Sequence, residues 1–296
     1  MYAYYSRKKP HEAYQDARNK AYESLLMRRM MGKRVNPPNL KEILENYSHY
    51  FEPNVKFEGF INPKRIVGTT EKGRESDFAS NFLPLVNPRR KGDFASKWMK
   101  VYENLGKWNE NPIQAFEFLH NIYVMEGNKR TSVARYVNLG VINSKIVRII
   151  PEKSNGDLET EMYHEFLDFE KRSGVSDVWF SEKGKFDELE ELIDGYAPIC
   201  QDSYGCKYSF FKKMILEPFS ALYNNMWVKT NGFTKGDILL EYLKMYPELN
   251  PAYKKRKQDI RQAVKNKKNQ ENNGKSWKAA VPKMDVLIKN LIRPRV

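Results

Sequence analysis

The chain has only two cysteines, Cys200 and Cys206, and four histidines in 296 residues. Two thiols cannot build a disulfide scaffold or a multi-cysteine zinc site. His11, His49, His120 and His164 show no H-x-x-x-H or related ligand spacing, so no metal site is expected. No apolar run approaches the ~18 residues that a membrane-spanning helix needs. The N-terminal stretch MYAYYSRKKPHEAY has no apolar segment behind its charges, which argues against a secretory leader. No repeat of about 20–50 residues recurs. The chain therefore reads as soluble and cytoplasmic. What it does have is material for a core, with 41% hydrophobic and 13% aromatic residues.

The net charge of +14 is unevenly spread. Residues 251–296 carry 14 Lys/Arg against 3 Asp/Glu, whereas residues 1–250 carry 37 against 34. The basicity belongs to the tail, and a body coated in nucleic acid is not implied.

Apolar spacing at Ala13, Ala17, Ala21, Leu25 and Met30 predicts a first helix closed by Gly32. Pro37-Pro38 breaks the chain, and Asn39 with Glu42 three residues on opens a short second helix. Phe57 to Ile61 reads as a strand, Arg65 to Gly68 as the end of another, and 69–76 as a polar loop. Asp93 is placed to cap a helix carrying Phe94, Trp98, Val101, Tyr102 and Leu105, with Gly106 as its stop. Pro112 to Val124 fits strand or helix by periodicity alone. A helix from Thr131 to Leu139 and a β-branched strand, Lys145 to Ile150, follow. The order strand, Gly-turn, helix, Gly-turn, strand is the grammar of a β-α-β unit. Helices are expected at 158–172, with Met162, Phe166 and Phe169 on one face, and at 186–193, 209–223 and 236–246. The Lys/Asn/Gln-rich run after Pro251 is expected to be a frayed helix or a disordered tail.

The sharpest feature is the segment Tyr123-Val-Met-Glu-Gly-Asn-Lys-Arg-Thr-Ser-Val-Ala-Arg-Tyr136. Gly127 permits a tight turn and close approach to the backbone. The N–H groups at the following helix start carry the positive end of the helix dipole. Lys129 and Arg130 add charge, and Thr131 and Ser132 add hydroxyls, an assembly suited to phosphate. The same residues also suit a plain strand-to-helix turn with solvated cations, and local sequence leaves both readings open.

This segment resembles the signature turn of the ParB/sulfiredoxin fold, in which a strand runs into a Gly-x-x-Arg turn before a helix. Gly127, Asn128, Lys129, Arg130 and Ala134 match the second box of ParB-like N-terminal domains. Ile66 followed by Arg74 suits the first, in which an arginine faces the ligand. The stretches IVGTTEKGRESDFASNFLPL and FEFLHNIYVMEGNKRTSVARY are similar to a bacterial group of ParB-like domains often fused ahead of a basic-membrane-protein-type substrate-binding domain. The resemblance covers roughly residues 10–245.

The resemblance implies an α+β fold: a ParB/sulfiredoxin-like core of short strands with a β-Gly-turn-α-β unit, flanked by N-terminal helices and a C-terminal helical region. The expected division is a lead-in at 1–55, the core at 56–151, helices at 152–250 and a flexible basic tail at 251–296. The implied ligand is a nucleoside triphosphate, CTP or ATP, with Mg²⁺. Arg74, Gly127, Asn128, Lys129, Arg130 and Thr131 would hold it, and Arg89 would extend the pocket. Expected partners are that nucleotide, DNA through Lys254, Lys255, Arg256, Lys257 and Arg261, and a second copy of the chain as a homodimer. The function expected is that of a nucleotide-responsive, DNA-associated binding protein. The alternative is a small kinase or NTPase using Glu126 as general base, since ParB-fold serine kinases place a carboxylate there. Pairing of Glu126 with Arg130 or Lys129 is the structural counterpart of that role.

Departures from the family narrow this. Sulfiredoxins carry cysteine where Asn128 stands, so sulfinic-acid reduction is not expected. The acidic-Asn-x-Gln-Arg stretch of CTP-switching ParB proteins has no match in PEKSNGDLETEMYHEFLDFEK. Glu161 or Glu165 would have to replace the metal-holding acid. Glu-Gly-Asn-Lys-Arg-Thr also resembles the core of a Fic motif, but Ile122 occupies the position of the required histidine and His120 stands two residues too early.

Overall fold

The computed structural model describes residues 8–47, 49–51, 56–70, 73–86, 93–105, 111–153, 156–195, 206–224, 233–245 and 257–273. They divide into two compact units, one ending at Glu152 and the other beginning at Lys153.

The first unit is mixed α and β. Helix α1 (Pro10–Met30) starts with proline in its first turn, and the Glu12 carboxylate accepts from the Lys9 N–H at 3.3 Å. Ala13, Tyr14, Ala17 and Ala21 form its buried face, where small side chains allow close approach. Met30, which the spacing assigns to that face, is 87% exposed. Seventeen residues beyond Ala13, a helix of about 3.6 residues per turn has rotated that position roughly 100° away. The short helix α2 (Leu40–Leu44) is capped by the Asn39 side chain, which accepts from the Lys41 N–H at 2.9 Å.

Six strands form one mixed sheet: β1 (Tyr50–Phe51), β2 (Lys56–Ile61), β3 (Ile66–Thr69), β4 (Ile113–Phe118), β5 (Asn121–Glu126) and β6 (Ile142–Pro151). The order is β1-β6-β4-β5-β3, with β2 also antiparallel to β6. The ambiguous stretch from Pro112 to Val124 is a hairpin. Phe118 pairs with Asn121 across a two-residue turn, Leu119-His120, in which both residues have positive φ (47° and 65°). Such turns usually carry Asn-Gly or Gly, which is why the sequence hid this one.

The hairpin also alters the β-α-β expectation. Helix α3 (Phe94–Glu103) precedes β4, and helix α4 (Asn128–Tyr136) joins β5 to β6. Strand β4 lies between β5 and β6, antiparallel to the first and parallel to the second. Strands β5 and β6 are therefore antiparallel to each other, and α4 is not a parallel crossover. The parallel neighbours are β3 with β5 and β4 with β6.

Ile66, Ile113, Ala115, Ile122, Val124, Ile142 and Ile146 of the sheet pack with Ala13, Tyr14, Trp98, Val133 and Ala134 of the helices. Trp98 is fully buried, donates its indole N–H to Ser132 Oγ at 2.9 Å and meets Tyr14 edge-on at 5.3 Å. Arg135, in the last turn of α4, donates to the Ile66 carbonyl at 2.7 Å. These bonds hold α4 at both faces and so fix where its N-terminus points.

The second unit is helical: α5 (Leu158–Ser173), α6 (Lys185–Asp194), α7 (Lys207–Phe210), a π-helical stretch (Phe211–Leu216), α8 (Glu217–Asn224), α9 (Lys235–Met245) and α10 (Lys257–Asn273). Tyr163, Phe166 and Phe169 of α5 are buried, and Phe166 and Phe169 pack on Phe186 of α6. Tyr163 rather than Met162 completes that face. Residues 257–273 contradict the expectation of a frayed or disordered tail. Ile260, Ala263 and Val264 are buried, and α10 packs on α9 and α8.

Candidate functional site

The parallel neighbours β3 and β5 end side by side, with the Thr70 N–H donating to the Val124 carbonyl at 3.1 Å. Each leads into a loop. After β3 comes the segment with Arg74 and the 3₁₀ turn Glu75–Asp77; after β5 comes Gly127. Ligands favour the carboxyl ends of parallel strands, where loops diverge and helix starts face outward.

Gly127 has φ 103°, and a Cβ there would lie 2.5 Å from Ile113 Cγ2, so only glycine fits this turn without displacement. It is the N-cap of α4, and the first intrahelical bond runs from the Thr131 N–H to the Gly127 carbonyl at 2.9 Å. The N–H groups of Asn128, Lys129 and Arg130 form the helix's first turn ahead of that bond. A second close approach lies beneath it: a Cβ on Gly68 would meet the Pro38 carbonyl at 2.4 Å and Tyr123 Cδ1 at 2.5 Å.

Adjacent cations have different roles. Lys129 is half-buried, with Nζ 4.7 Å from the centre of the Phe94 ring. Among the described residues it has no carboxylate within ion-pair distance. Burial, and next the neighbouring Arg74 guanidinium, pushes its ammonium below the ordinary lysine value. Lys97 acts in the same direction, while Asp77 and Asp93 oppose it. Arg74 lies 3.5 Å from Asp77, and Lys97 pairs with Asp93. Lys129 is thus the cation that the surrounding carboxylates leave unmatched.

Arg130 points elsewhere. Its guanidinium donates to the Asn111 carbonyl and lies 3.9 Å from Glu126. It ties α4 to the start of β4 instead of facing Arg74. Glu126, the candidate base, has a 67% exposed side chain and accepts from Gln114 Nε2 at 3.1 Å. Pairing with Arg130 is the arrangement observed.

Unsatisfied polar atoms cluster on these elements. Thr131 is fully buried and its hydroxyl has no hydrogen-bond partner among the described residues. Asn128 Oδ1 and Glu75 Oε2 are also buried without one. Buried polar groups of this kind call for a partner. Asn36 closes the floor of the Arg74 loop, its Nδ2 donating to the carbonyls of Glu75 (3.1 Å) and Phe78 (2.8 Å).

Of the residues the sequence marks, the structure gathers Arg74, Gly127, Asn128, Lys129 and Thr131. Arg130 and Glu126 turn toward β4, with the Arg130 guanidinium still beside Gly127, 3.2 Å from where a Cβ would stand. Arg89, Lys254, Lys255 and Arg256 lie outside the described residues, as does the Lys257 side chain, while Arg261 is exposed on α10. Phe94, Asp77 and Glu75 were missed as site residues. Asp93-Phe94 had a visible signal, a cap opening an aromatic helix, but not the contact with Lys129. Among the described residues no three His, Cys, Asp or Glu side chains converge on a metal position. Comparison of the chain with protein-family models, curated proteins and solved structures finds no match in any of the three.

Proposed function

We propose that this chain is a ParB-like binding protein that holds the phosphates of a nucleotide between the Arg74 loop and the start of α4. One observation carries the reading. Lys129, at a helix N-terminus, is held below the ordinary lysine value first by burial and next by Arg74, a cation from a loop far away in sequence. Like charges so placed repel, and an anion between them removes that penalty. Phosphate also suits the helix dipole and first-turn N–H groups, and the Thr131 hydroxyl lacks a partner among the described residues. A nucleoside triphosphate brings the negative charge. Mg²⁺ would be held chiefly by the ligand's own phosphates, since no carboxylate cluster stands among the described residues.

The test is a thermal-shift screen of CTP, ATP, GTP, UTP and inorganic pyrophosphate, with and without Mg²⁺. A ligand at one hundred times its Kd stabilises the folded state by about 2.7 kcal/mol, a rise of several degrees. The reading requires such a rise for at least one phosphate ligand and its loss in Lys129→Ala. No rise with any of them removes the reading.

A further inference from the structure

Helix α10 has two faces of different character. Ile260, Ala263, Val264 and Lys267 recur at i, i+3, i+4 and i+7 and are all buried. Lys267 completes the seam by pairing with Glu182 at 3.2 Å and lying 6.0 Å above the Phe233 ring. The seam fixes the helix's rotation. Arg261, Lys265 and Lys268 therefore stand together on the outward side, the first two exposed and the third partly so.

Several other cations of this unit are paired, although exposed Lys171, Lys212 and Lys213 also have no ion pair among the described residues. Lys183 pairs with Glu161, Lys235 with Asp177 and Lys244 with Glu188, each at 2.6 Å. Arg172 pairs with Glu190, also at 2.6 Å. Among the described residues no carboxylate lies within ion-pair distance of Arg261, Lys265 or Lys268. Their exposed neighbours are the amides Gln262 and Asn269. Among the described residues the face carries no aromatic ring on which a base could stack and no aliphatic group to enter a lipid surface. Cations interleaved with amides suit phosphate oxygens, the contacts that position a protein on a duplex without reading sequence. From Arg261 to Lys268 the helix rises about 10 Å. A duplex presents a phosphate charge about every 1.7 Å of axis, so each cation can find its own.

We propose that α10 is a preformed helix that lies along the phosphodiester backbone of duplex nucleic acid, with Arg261, Lys265 and Lys268 as its phosphate contacts. This surface is independent of the nucleotide pocket.

The test uses the full chain and fluorescent 20-base-pair DNA and RNA duplexes of two unrelated sequences, titrated at 50 and 200 mM salt. Three neutralised phosphates give a log–log slope of about −2.7, a loss of roughly fortyfold across that range. Arg261→Gln/Lys265→Gln/Lys268→Gln should make the slope shallower by about 2.7, whatever other basic residues contribute. Lys265→Gln alone should remove about 0.9, which covers a triple variant that fails to fold. Arg261→Lys/Lys265→Arg/Lys268→Arg should bind like the wild type. Unchanged slope in the neutralised variants overturns the proposal. So does a preference above tenfold for one sequence, or binding only to vesicles of phosphatidylserine and phosphatidylcholine. Lys129→Ala should keep full duplex affinity, and the triple variant should keep any nucleotide-induced rise in Tm, so failure of one site is distinguishable from failure of the other.

Discussion

The start of α4 and the outer face of α10 are both basic, yet their cations sit in different surroundings. Lys129 is half-buried over Phe94, pressed by Arg74 and partly offset by Asp77 and Asp93. Arg261 and Lys265 project into solvent with no carboxylate partner among the described residues. A desolvated cation in a shaped turn favours one small anion in one orientation, and salt screens it weakly. Solvated cations in a row favour a polyanion in many registers, and salt screens them strongly. Charge sign alone does not separate these functions; burial and spacing do.

The largest effect expected from breaking this contrast comes from the seam of α10. Ile260→Ala should destabilise the helical unit by about 2–5 kcal/mol, because Ile260 is fully buried and its loss leaves a cavity. Calorimetry should show the helical unit melting earlier. Nucleotide-induced stabilisation of the sheet unit should persist, and its disappearance would mean the two basic regions are one system.

Next in size is the split between neighbours in α4. Lys129→Ala should abolish nucleotide-induced stabilisation with little change in ligand-free Tm. Arg130→Gln should do the reverse and cost about 0.5–1.5 kcal/mol, because it removes the bond to the exposed Asn111 carbonyl, while Glu126 keeps its bond from Gln114. If both variants act on affinity alone, Arg130 belongs to the pocket after all.

The sheet unit also has a pH signature. Burial first, then the guanidinium groups of Arg65 and Arg148, lower His120 from 6.5 to about 3. The native state keeps the imidazole neutral while the unfolded chain takes up a proton below pH 6.5. Stability from this group is therefore complete above pH 6.5 and declines as pH falls toward about 3, by up to ~1.4 kcal/mol per pH unit. His120→Asn tolerates the left-handed turn and should flatten that slope in denaturant titrations between pH 6.5 and 4. An unchanged slope would place the sensitivity on other groups.

The smallest effect belongs to Glu126→Gln. The side chain is 67% exposed and its pair with Arg130 is long, so the change should alter stability by less than ~0.5 kcal/mol and leave nucleotide binding intact. Loss of a nucleotide-dependent turnover in this variant would instead restore Glu126 as a base.

Much of the site was legible because its signals are local. A glycine that must turn, a helix start and adjacent cations are read within a dozen residues, as at Gly127 to Thr131. Asn39 as a cap and the β-branched run of β6 are equally local. The β4–β5 hairpin was not legible, since Leu119 and His120 adopt left-handed backbone without glycine. The seam of α10 was also hidden: it uses one isoleucine, one valine, one alanine and a lysine, too thin a stripe to stand out in a Lys/Asn/Gln-rich run.

The sequence by itself determined the α+β composition, most of the helices, the basic C-terminal region and the turn glycine, because propensity, periodicity and charge act over a few residues. Only the tertiary structure decided that β5 and β6 run antiparallel around β4. It alone gave Lys129 and Arg130 different partners, brought Arg74 to Lys129, and turned three cations of α10 to one side. Each of those outcomes depends on which surfaces meet after the chain has folded back on itself, and a distance between residues far apart in the chain is set by packing, not by local preference.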